Sequence, residues 1–256
     1  MRHLVMFMCV YSLLAGVAST QTIGPGAAVP AVANLPGAAG TFWQSDVVIH
    51  NIGDSATSVR LLLFPEIRGG EPTFDAVTSE PIQVPALGQI TISNVVQSEF
   101  GMPNKKGALS VISEDGSPVV VASRTYTFGQ DGGSFGQEIV GNLVSDTAWA
   151  AGARHDSSYR TNLGIYLPSA PAEGETTIFT VTIRDPDGEQ VSSGGMSFGY
   201  AGLQQRPLSD FGAEQLIEGS VMVQCSDPDL VWYGYISRVD QISGDAVYRP
   251  LRNQGF

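Results

Sequence analysis

Apolar side chains recur at every second position in short bursts along the chain. Val59, Leu61 and Leu63 fall on one face of an extended segment, Val119 and Val121 do the same, and Phe179, Val181 and Ile183 alternate with Ile178, Thr180 and Thr182. A period of two is the signature of strands. Turn-forming clusters bound these runs: Asn51-Ile52-Gly53-Asp54-Ser55, Glu114-Asp115-Gly116-Ser117-Pro118 and Asp185-Pro186-Asp187-Gly188. No long stretch sustains a 3.6-residue apolar period, and thirty glycines with fifteen prolines are scattered rather than periodic. Many short strands joined by turns predict an all-β fold.

The pattern also repeats. Phe42-Trp43-Gln44-Ser45-Asp46-Val47-Val48-Ile49 aligns with Ser158-Tyr159-Arg160-Thr161-Asn162-Leu163-Gly164-Ile165, and Ile92-Ser93-Asn94-Val95 aligns with Leu208-Ser209-Asp210-Phe211 at the same offset. Lys106-Gly107-Ala108-Leu109-Ser110-Val111 then matches Glu218-Gly219-Ser220-Val221-Met222-Val223. Each match is followed by an Asp in a turn (Asp115, Asp227), an apolar strand and a Ser-Arg pair (Ser123-Arg124, Ser237-Arg238). The shared order predicts two tandem immunoglobulin-like β-sandwich domains arising from an internal repeat, over residues 28–140 and 144–256. Residues 137–147 join them, with room for a brief helical turn.

The segment from Val47 to Val59 runs a strand into Asn51-Ile52-Gly53, a turn, and Ala56 followed by Val59 at the next strand. It resembles the adhesion-related immunoglobulin-like modules of bacterial surfaces called CARDB. The second repeat departs from this pattern, with Tyr166-Leu167-Pro168-Ser169 where Asn-x-Gly would fall. The resemblance implies an extracellular structural or binding role and carries over no catalytic residues.

The N-terminus supports export. Arg2 gives a short basic region, Leu4 to Leu14 an apolar one, and Gly16-Val17-Ala18 the small residues of a cleavage site, so residues 1–18 read as a signal peptide and 19–27 as a flexible lead. The apolar run is shorter than the ~20 residues a spanning helix needs. The expected mature chain is therefore extracellular, at the cell surface or periplasmic, without membrane insertion. Loss of Cys9 would leave Cys225 alone. It shares a strand face with Val221 and Val223 and reads as a buried thiol. Acidic residues outnumber basic ones 25 to 13, for a formal net charge of −12, which argues against a nucleic-acid partner.

Motifs with chemical meaning are few. Gly132-Gly133-Ser134-Phe135-Gly136 and Gly195-Met196-Ser197-Phe198-Gly199 both fit G-x-S-x-G. That nucleophile motif needs a strand-to-helix turn on a parallel sheet, and both read instead as loops, leaving a secreted serine hydrolase only a remote alternative. Asp185 to Glu189 reads as a turn closed by Gly188, and position twelve of a calcium loop begun at Asp185 would be Met196. His50 and His155 lie in different repeats, too few for a catalytic zinc site. No catalytic, cofactor or metal residue is assigned.

Val231-Trp232-Tyr233-Gly234-Tyr235-Ile236 is the most aromatic stretch, with Trp232 on one face and Tyr233 and Tyr235 on the other. These three are the possible ligand contacts, in a carbohydrate-binding alternative to a structural or interaction module with a protein or glycan partner. Arg124 and Arg238 read as duplicated architectural residues, with Asp46 and Asn162 as candidate partners. The exported protein is expected to begin at or within a few residues of Ser19. Intact mass measures this directly, and an exported species retaining residues 1–18 would contradict the signal peptide.

Overall fold

The computed structural model describes residues 23–37, 40–67, 76–129 and 132–253. The signal-peptide assignment therefore lies outside the described residues. The chain is almost all β. Its first half contains β1 (Ile23–Gly24), β2 (Gly26–Pro36), β3 (Phe42–Asn51), β4 (Thr57–Pro65), β5 (Val77–Thr78), β6 (Ile82–Val84), β7 (Gln89–Ile92), a single helical turn α1 (Val95–Ser98), β8 (Lys105–Ser113), β9 (Val119–Phe128) and β10 (Ser134–Glu138). The second contains β11 (Leu143–Ser145), β12 (Thr147–His155), β13 (Tyr159–Leu167), β14 (Thr177–Arg184), β15 (Gln190–Phe198), β16 (Gly202–Pro207), a 3-10 turn over Leu208–Phe211, β17 (Leu216–Cys225), β18 (Val231–Asp240), β19 (Ala246–Pro250) and β20 (Arg252–Asn253). The lead expected to be flexible is ordered from Ile23, which pairs with Val120, and the expected helical turn before residue 147 is extended, as β11.

In the first half, β4, β8 and β2 form one layer and β3 with β9 the other. A register shift between Val29 and Val32 bends β2, so that it pairs first with β8 and then, from Asn34, with β3. The two layers thereby merge along one strand into a ten-stranded sheet. Alternation decides what lies between them: Val47, Ile49, Val59, Leu61, Leu63, Leu109, Val111 and Val119 are buried together.

The second half keeps two separate five-stranded sheets, β15-β14-β17-β12-β20 and β11-β18-β13-β16 with β19 beside β18. Between them lie Leu163, Ile165, Phe179, Val181, Ile183, Val221, Val223, Trp232 and Cys225. Cys225 is buried as expected, and burial raises its thiol pKa. The ladders are antiparallel, and the sheets do not close into a barrel.

Turn chemistry accounts for the ends of strands. Asn51 is fully buried, its amide donating to the carbonyls of Ser55 and Pro85 while its oxygen accepts from the Gly53 backbone. Asp185 accepts from the backbone N–H groups of Asp187 and Glu189, and Gly188 closes the β14–β15 hairpin at φ 86°, a left-handed angle that favours glycine. Asp115 accepts from Thr57, Ser113 and the backbone of Ser117, and these bonds hold its carboxyl well below the usual range.

Candidate functional site

A third apolar cluster belongs to neither half alone. Phe64 and Ala108 from the first half meet Tyr166, Leu203 and Tyr235 from the second, with Ala28, Ala31, Leu62, Tyr233 and Tyr248 around them. The outward face of β13, β18, β16 and β19 thus lies against the outward face of β2, β8 and β4. Tyr166 tilts against Phe64 with ring centroids 5.3 Å apart and stacks on Tyr233 at 5.7 Å; Tyr235 lies 5.1 Å from Tyr248.

Polar tips are satisfied around these rings. The hydroxyls of Tyr166 and Ser110 share a 2.8 Å hydrogen bond across the two halves, Tyr235 donates to Gln205 and Tyr248 to the Val140 carbonyl. Backbone joins in as well: Ile67 N–H donates to the Leu203 carbonyl, and Glu66 pairs with Leu203 in a parallel bridge. The Glu66 carboxylate, nearly buried, meets Lys106 at 2.8 Å. Gly164 makes room for all this, since a Cβ there would collide with the Tyr235 ring.

Beside these rings the facing sheets enclose a cleft of about 170 Å³. Trp43, Lys106 and Gln137 line it from the first half; Arg160, Asn162, Gln205, Tyr235 and Tyr248 line it from the second. Clefts between packed units, apolar with a few convergent polar groups, are the usual form of a ligand site. A shallower groove of about 390 Å³ crosses the open face of the first half, lined by Asp46, Arg124 and Glu138.

These placements revise the residue assignments. Trp232 is fully buried, packed edge-on against Phe179 at 5.1 Å, and Tyr235 is 1% exposed. The aromatic strand is therefore no open stacking platform: its two faces fill two interiors, although Tyr235 borders the cleft. Arg124 and Arg238 are not equivalent. In the β3–β9 ladder Arg124 stands opposite Asp46, whereas in the β13–β18 ladder Arg238 stands opposite Thr161 and Ser237 opposite Asn162. That one-residue slip sends the two side chains to opposite faces.

Arg124 is exposed, donating to the Ser134 hydroxyl at 3.0 Å and lying over Tyr126. Arg238 turns to the rim of the core, over Tyr159 and toward the Gly152 carbonyl. Asp46 accepts instead from the Asn94 backbone and from Tyr126, and Asn162 lies in the cleft.

The G-x-S-x-G segments lie mostly in strands, with Gly132 and Gly133 in the turn before β10 and Gly199 just past β15. Ser134 opens β10 opposite Phe128, and Ser197 sits within β15 opposite Ile178. Neither occupies a strand-to-helix turn. Tyr166, Tyr248, Trp43, Gln137 and Arg160 escaped the sequence reading. The signal available for Tyr166 was its alternation with Leu163, Ile165 and Leu167, which puts a large ring on the face opposite the core.

Compared with known protein families the chain matches none, and it matches no curated protein. Among solved structures it is similar to a glycosyl hydrolase family 2 member from Bacteroides cellulosilyticus, at 7% identity and a TM-score of 0.18. The likeness covers 84% of this chain and spans 25% of that one. Overlap at that level bears on neither fold nor activity.

Burial raises the phenol pKa values of Tyr166, Tyr235 and Tyr248 above the ordinary value. An unfolded chain ionises these phenols near pH ~10, while the folded state resists. Their contribution to stability is present below that pH and lost as pH rises through the folded values. The melting temperature is expected to fall steeply above about pH 10, and Tyr166→Phe, which removes one of these groups, is expected to flatten the fall. Melting curves between pH 8 and 11.5 check this.

Proposed function

We propose that the chain is a non-enzymatic, exported or surface-displayed interaction module made of two copies of one immunoglobulin-like sandwich. The observation that carries this reading is the use of the large aromatic side chains. Tyr166, Tyr233, Tyr235 and Tyr248 join two sheets, and Tyr235 and Tyr248 border a cleft of ligand size. Such an arrangement positions and recognises. Ser134 and Ser197 lie within strand ladders, where the nucleophile motif has none of its required context.

Matched details support the duplication. The Ser45 hydroxyl accepts from the Ala33 backbone and the Thr161 hydroxyl from the Arg154 backbone, each buried where β3 or β13 passes the preceding strand. A Cβ on Gly107 would strike the Phe64 carbonyl on β4, and one on Gly219 the Arg184 carbonyl on β14. Asp115 and Asp227 each accept from the backbone N–H two residues on. In both halves the third strand of the unit pairs with the penultimate long one, as β4 with β8 and β14 with β17. The Asn51–Gly53 turn, knotted by its buried Asn, supports a kinship with CARDB-type adhesion modules.

The partner is a protein or a glycan outside the cell. The mature chain, tested on a glycan array, against surface proteins, and with chromogenic ester and glycoside substrates, is expected to bind saturably and consume nothing. Ester turnover abolished by Ser134→Ala would overturn the reading in favour of a hydrolase.

A further inference from the structure

We propose that the cleft between the two halves binds a single carboxylated sugar unit, a hexuronic acid in chemical class. This rests on the reading of the chain as a binding module and names its ligand. The starting point is polar capacity left unused. Asn162 is only 7% exposed and lines the cleft, and its side-chain amide has no partner among the described residues. Gln137 lines the same cleft with its carbonyl oxygen Oε1 buried and unpartnered. Buried polar groups left without partners cost free energy, so folded proteins supply them with a neighbour, a water or a ligand. Two carboxamides facing one hollow offer both donors and acceptors, the complement of sugar hydroxyls, which are donor and acceptor at once.

Charge narrows the class. In a chain of net charge −12, the cleft is lined, among the described residues, by two cations, Lys106 and Arg160, and by no carboxylate. Lys106 is already committed to Glu66. Arg160 has no partner among the described residues and stands two positions from Asn162 on the same face of β13. A guanidinium presents a planar fork of donors that matches a carboxylate with two parallel hydrogen bonds.

Trp43, half-buried in the wall, and the Tyr248 ring supply flat apolar surface for the C–H face of a pyranose. The volume agrees as well. A hollow of about 170 Å³ is of the size that holds a single six-membered ring.

Isothermal titration of the mature chain with sodium glucuronate, with glucose and with acetyl-glycyl-glycine tests this. Glucuronate is expected to bind at least tenfold more tightly than glucose. Arg160→Gln, a change at an exposed position, is expected to keep the parent melting temperature and erase that preference. Asn162→Leu, which fills the hollow and removes the amide, is expected to abolish binding of both sugars. No heat with glucuronate up to 10 mM, a preference that survives Arg160→Gln, or tighter binding of the peptide carboxylate would each overturn the assignment. If glucuronate fails while saturable binding to an array or surface protein persists, this ligand falls and the module reading stands. Ester turnover would remove the module reading itself.

Discussion

Alternate side chains leave a strand by opposite faces, so a sheet whose two faces are both apolar has to be covered twice. The β18 strand imposes that requirement here. Trp232 and Ile236 point into the core of the second half, and Tyr233 and Tyr235 leave by the other side, beside Tyr166 on β13. The partner sheet β12-β14-β17 covers the first face. Among the described residues the first half of the chain covers the second face, with the Phe64 ring and with small residues, Ala28, Ala31 and Ala108, set against the large rings. The phenols of Tyr166, Tyr235 and Tyr248 each keep a polar partner at the edge, so the contact hides their aromatic surface without stranding these hydroxyls.

The cleft follows from the same contact. Two twisted sheets touch closely over a limited area and diverge beyond it. Where they diverge, the walls are still interface residues, and some of their polar groups find no partner among the described residues. Asn162, Gln137 and Arg160 occupy that margin. The first half's open face, by contrast, keeps Arg124 in solvent on a shallow groove. The two halves thus present unequal surfaces, since the outward face of one sheet in each half is used against the other half.

Much of the fold is legible along the chain. The runs through Val59, Val119 and Phe179 are strands facing a core, Cys225 is buried, and Asp185 to Glu189 is a hairpin turn, because alternation and turn chemistry are local properties. Register is not local. Arg124 and Arg238 each follow a Ser, yet their ladders differ by one residue, and that slip separates an exposed side chain from one at the core rim. The aromatic face of β18 suggested a ligand platform because a sequence shows that a face is aromatic without showing what covers it. The repeat pairs Asn162 with an arginine, yet Asn162 stands opposite Ser237 and lines the cleft, since cross-strand neighbours depend on which strands meet. Composition predicts loops at both glycine-rich serine motifs; Gly132 and Gly133 do form a turn, whereas β14 pairs with Gly194 and Gly195 along an ordinary ladder.

The shared core between the halves is tested most directly by scanning calorimetry of the protein at neutral pH. The two halves joined through Tyr166, Tyr235 and Phe64 are expected to unfold together, in one transition whose calorimetric and van't Hoff enthalpies agree. Two resolved transitions, each with the enthalpy of about half the chain, would contradict it.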